Sequence, residues 1–99
     1  MDEGCWVYIL RCADDAYYVG TTRLSDPTER VREHNLGENP KAWTYRRRPV
    51  KLVWAEHFQS RAEAVSFERQ LKGWSRRKKE AVISGEWERL PVLSKRGKA

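Results

Sequence analysis

The sequence predicts an α+β domain, a small antiparallel three-stranded sheet flanked by helices in the order β-β-α-β-α-α. Three observations predict it. Two runs rich in β-branched and aromatic residues, "CWVYILRC" and "YYVGTT", flank the short acidic turn "ADDA" and read as a hairpin. A third run, "VKLVWAEHF", alternates as a strand does. Between and after these runs, helix start and stop signals recur at helical spacing.

The elements follow in order. After the hairpin, Ser25 or Asp26 can cap a helix with Pro27 at its first position and Glu29 in its first turn. That helix ends near Asn35–Gly37, where glycine suits a left-handed cap. "LGENPKAWTYRRRP" reads as a loop, broken at Asn39–Pro40. Past the third strand, Ser60 and Glu63 have capping-box spacing and open a second helix, punctuated by Gly73. Ser75 restarts a short third helix that closes near Gly85. Residues 1–85 therefore read as one domain, and residues 86–99 as a basic C-terminal tail.

Composition narrows the function. Net charge is +6, and the 20 Lys and Arg cluster in "YRRRPVK", "SRRKK" and "SKRGK". Such clusters attract polyanions and favour a nucleic-acid partner over a merely solvated surface. They lack the bulky apolar anchors of a membrane-surface helix, and no apolar run reaches the roughly 18 residues of a membrane span. The N-terminus "MDEGCW" has no basic region of the secretory kind. Cys5 and Cys12 lie in one extended segment, a poor geometry for bridging each other, and read as reduced thiols of a cytoplasmic protein.

A few residues could carry chemistry. Arg30 and His34, four apart, share one face of the first helix. They are either solvated polar residues or a guanidinium and an imidazole directed into a cleft, suited to phosphate and to proton transfer. Glu68 sits between Val65 and Leu71, both expected in the core, so it falls on or beside the core-facing stripe of the second helix. There it either pairs with Lys72 or holds a hard divalent ion, which takes one or two carboxylates and keeps several waters. Glu56 and Glu63 read as solvent-facing or capping. Tyr8 and Tyr18 are ordinary strand residues unless a cation lies near, because a phenol at neutral pH is about three units below its reference pKa. Trp43 and Tyr45 beside Arg46, Arg47 and Arg48 form either a nucleic-acid contact loop, with aromatics that stack on bases, or a loop whose Trp43 packs on the sheet. Trp54 and Trp74 are expected in the core, and Arg76–Lys79 on a solvated helix face.

Taken together, "WVYIL", "YYVG", "ERVREHN" and "FERQLKGW" resemble the signature of the GIY-YIG nucleases, especially the small stand-alone bacterial members. The resemblance covers about residues 5–84. The literal "GIY" is "WVY" here, and Thr21 stands where some members place a lysine. The resemblance implies a metal-dependent DNA endonuclease, acting in repair or recombination on branched, flapped or single-stranded DNA. It implies Tyr8, Tyr18, Arg30, His34 and Glu68 as the catalytic set, and Glu68 as ligand to Mg²⁺ or Mn²⁺. Tyr8 is then the general base, helped by His34. Arg30 stabilises the phosphate, Tyr18 orients it, and Gly20 admits the substrate backbone. No recognition module accompanies these residues, so shape or a protein partner would supply specificity. A non-catalytic binding module and a subunit active only with a partner are the alternatives.

Overall fold

A computed structural model describes residues 4–23 and 25–86. The expected tail from residue 87 onward lies outside the described residues. Strands β1 (Cys5–Arg11), β2 (Tyr17–Thr22) and β3 (Lys51–Phe58) form one antiparallel sheet in the order β2-β1-β3. The helices are α1 (Pro27–Leu36), α2 (Arg61–Gly73) and α3 (Arg76–Ser84). The expected loop also holds a single 3-10 turn at Tyr45–Arg47.

The start and stop signals act as their chemistry requires. The Asp26 carboxylate accepts from the Thr28 amide, Ser60 Oγ from that of Glu63, and Ser75 Oγ from that of Lys78. Gly37 and Gly85 adopt the left-handed conformation that closes α1 and α3.

Alternation in the central strand β1 sorts the side chains into two layers. Cys5, Val7 and Ile9 pack with Val19 against Ala64 and Leu71 of α2 and Val82 of α3. Tyr8, Leu10 and Cys12 face the other way, with Val50, Leu52 and Val31 of α1. The buried stripe of α2 differs from the expected one. Ala64 and Leu71 are buried, Phe67 and Trp74 pack against the core, and Val65 is only half-buried. Spacings of three and four starting from Ala64 select 64, 67, 71 and 74, and Val65 falls one position to the side. Trp54 is half-buried against the same core.

Asn35, at the end of α1, binds both backbone groups of Val50. Its amide donates to the Val50 carbonyl at 3.0 Å and accepts from the Val50 amide at 2.7 Å. This clamp ties α1 to the entry of β3 across the intervening loop. At the hairpin, the Asp15 carbonyl accepts from Arg76 Nη1 at 2.8 Å, which docks the turn on α3.

Gly20 pairs with Tyr8 across β1 and β2. A Cβ at Gly20 would lie 2.6 Å from Tyr8 Oη and 2.7 Å from its Cζ. The close approach that Gly20 permits within the fold is to the Tyr8 ring, which fills the space a Cβ would take. Gly20→Ala is expected to destabilise the fold by about 1–3 kcal/mol, the usual cost of overpacking, in denaturant titration. A variant as stable as wild type would show that the ring moves aside freely.

Candidate active site

The layer shared by β1, β2 and α1 brings four of the expected residues together. Tyr8 is 1% exposed, yet its hydroxyl is polar and needs a partner. It finds His34 Nε2 at 3.3 Å. The other ring nitrogen, Nδ1, lies 2.8 Å from Thr44 Oγ1. The Tyr18 ring packs edge-on to His34, with centroids 5.2 Å apart, and tilts against Tyr8 at 6.3 Å. Arg30, one helical turn before His34, bonds Glu33 at 2.7 Å, and its guanidinium lies near enough to act on the charge of the Tyr8 phenol. A cleft of about 200 Å³ opens beside this cluster, lined by Arg30, Glu33, His34, Ala42, Thr44 and Tyr45 among others.

The surroundings tune these groups. Burial pushes the Tyr8 phenol up to about 12, and the nearby Arg30 guanidinium only partly offsets it. The expected depression of this phenol by a nearby cation is therefore reversed in the protein by desolvation. Burial, then the positive charge of Arg30, lowers the His34 pKa below its ordinary 6.5, with Glu33 opposing. His34 is thus a neutral base at physiological pH.

Glu68 stands on α2, between Ala64 and Leu71, which pack on the Cys5, Val7 and Ile9 layer. Its carboxylate is 14% exposed and pairs with Lys72 through Oε2 at 2.8 Å. Among the described residues, no hydrogen bond uses Oε1 and no hydrogen bond or ion pair joins Glu68 to the Tyr8 cluster. Nor does any group of three His, Cys, Asp or Glu gather among them as a metal cage. A hard ion held by one carboxylate, water and phosphate needs no such cage, and the largely desolvated Glu68 carboxylate has the right donor chemistry.

The basic loop is packed more closely than a free contact loop. The Trp43 ring stacks on Tyr18 at 5.8 Å and carries the Arg47 guanidinium 3.9 Å from its centroid. Arg48 lies over Tyr45 at 4.2 Å and bonds the Tyr45 carbonyl. Arg46 is exposed. Sequence reasoning passed over Thr44. It sits in an irregular loop ten residues from its partner, where no periodicity points to it.

This geometry accompanies a clear kinship. The chain matches the GIY-YIG catalytic domain over residues 4–81. The protein belongs to that family. The GIY-YIG catalytic domain is a nuclease fold. The chain is 44% identical over 82 residues to a UPF0213 protein of Haloquadratum walsbyi, covering 83% of this chain and 89% of that one. It is similar in structure to the UPF0213 protein of Bacillus halodurans, with TM-score 0.52, 38% identity and coverage of 82% and 83%. A protein from E. faecalis gives TM-score 0.56, 32% identity and coverage of 86% and 90%. Among the described residues of this GIY-YIG protein, no helix is long and apolar enough to cross a membrane.

His34 is expected to titrate below pH 6.5 in the folded protein, followed by NMR of its ring protons. The sign for stability follows. The unfolded chain takes up this proton first as pH falls, so the contribution of His34 is complete above about pH 6.5 and declines from there toward its folded value. A midpoint above 6.5 would contradict the burial described.

Proposed function

We propose that this protein is a divalent-metal-dependent DNA endonuclease that hydrolyses phosphodiester bonds, acting in repair or recombination on branched, flapped or single-stranded DNA. The observation that carries this reading is the contact between the Tyr8 hydroxyl and a neutral His34, with Arg30 beside them. Membership of a nuclease fold family and the net charge of +6 support it. Two free, buried cysteines accord with a reducing cytoplasm.

Hydrolysis requires a proton to leave the attacking water as the new P–O bond forms. A standing phenolate is unavailable near neutral pH, because Tyr8 is pushed up to about 12. Tyr8 therefore acts as a relay. It takes the water proton while passing its own to His34 Nε2, which becomes imidazolium. The bond from phosphorus to the leaving sugar oxygen breaks, and solvent protonates that oxygen. Arg30 has five N–H donors, of which its contact with Glu33 uses only some, so others can hold the charge that develops on phosphate. Tyr18 orients the phosphate or the water. Glu68 would hold Mg²⁺ or Mn²⁺, which when bound supplies Lewis-acid stabilisation of the phosphate and leaving oxygen. Arg46 and the outer faces of Arg47 and Arg48 would meet the backbone phosphates.

The test is cleavage of plain, single-stranded, flapped and branched DNA with Mg²⁺ or Mn²⁺. Wild type is expected to cut at least one shape. Arg30→Ala and Glu68→Gln are each expected to lose about 10²-fold or more in kcat, with DNA binding retained by Glu68→Gln. Binding without metal-dependent cleavage on every substrate would overturn the self-sufficient enzyme.

A further inference from the structure

We infer that Thr44 is a positioning residue that holds the His34 proton on Nδ1, leaving Nε2 to accept the hydroxyl of Tyr8. The inference deepens the proposed nuclease function, although the tautomer itself can be read without any activity.

A neutral imidazole carries one proton on one of two nitrogens, and the bonds made by each nitrogen decide which. Two arrangements satisfy the distances. In one, Nδ1–H donates to Thr44 Oγ1 and Nε2 accepts from Tyr8. In the other, Thr44 donates to Nδ1 and Nε2–H donates to Tyr8. The threonine hydroxyl serves either, so the choice falls to Tyr8. The proposed relay selects the first, because Nε2 must be unprotonated to receive the proton that Tyr8 releases. In that arrangement the O–H of Tyr8 donates to His34 Nε2 at 3.3 Å. Nδ1 then bears the proton, and Thr44 Oγ1 at 2.8 Å accepts it. Other groups bear on the ring as well. Arg30 and Glu33 of α1 act on its charge, and the Tyr18 phenol of β2 packs on its face.

Thr44 is well placed to hold a ring still. It is 1% exposed, and its carbonyl accepts from the Arg47 amide at 2.9 Å. As the residue before the 3-10 turn, its side chain makes no capping bond, so the hydroxyl is available to His34. The adjacent Trp43 stacks on Tyr18. Two consecutive loop residues thus brace two residues of the proposed catalytic set. The braced tautomer matters for the reaction, because only an unprotonated Nε2 can receive the proton that Tyr8 releases.

The experiment is long-range ¹H–¹⁵N NMR of the histidine rings in the full chain, for wild type, Thr44→Val and Thr44→Ser, beside cleavage kinetics. In wild type, His34 is expected as the Nδ1–H tautomer. Thr44→Val keeps the shape and removes the hydroxyl, so Nε2–H should become populated and kcat should fall about 10–100-fold with KM little changed. Thr44→Ser should restore both. An Nε2–H tautomer in wild type would overturn the inference with no variant needed. An unchanged tautomer in folded Thr44→Val would also overturn it. If wild type cuts no DNA, the nuclease reading fails while the ring spectra still decide the role of Thr44.

Discussion

The buried hydroxyl of Tyr8 is the constraint on which the arrangement of the site depends. Tyr8 stands in the middle strand of three, with helices covering both faces of the sheet. A phenol so nearly buried has little bulk water to bond, and leaving its hydroxyl unpaired would cost about 1–3 kcal/mol. Gly20, its partner across the sheet, gives the ring room. His34 supplies the hydrogen bond, which in turn fixes how α1 lies on the sheet. The Asn35 clamp on Val50 holds the end of that helix in place one residue later.

The same burial that makes the hydroxyl demanding also alters its chemistry. Desolvation disfavours both a phenolate at Tyr8 and an imidazolium at His34, so the pair rests as two neutral groups joined by one hydrogen bond. Such a pair is a poor standing anion and a good proton relay. In the proposed function, Arg30 adds positive charge at the rim where a phosphate would arrive, and its exposure leaves it free to turn from Glu33 toward a substrate. The basic loop belongs to the same machinery from the inside. Its own arginines lie over its aromatic rings, and its buried threonine reaches the imidazole.

Much of this was legible along the chain. Period-two patterning marked the three strands, and Asp26, Ser60, Ser75, Gly37 and Gly85 marked helix ends, because caps act within a few residues of themselves. Tyr8, Tyr18, Arg30, His34 and Glu68 stood out by residue type, spacing and family resemblance. Local chemistry of this kind is written in adjacent residues.

Tertiary structure decided what depends on contacts between distant residues. Strand order placed Tyr8 in the middle of the sheet, and that burial reversed the direction expected for its phenol. Cross-strand register showed that Gly20 makes room for Tyr8. Side-chain packing moved the α2 stripe from Val65 to Ala64. Thr44 reaches His34 only because the loop folds back over α1. Its partner is ten residues away with no repeating period between them, so the sequence carries the residue without any mark of its role.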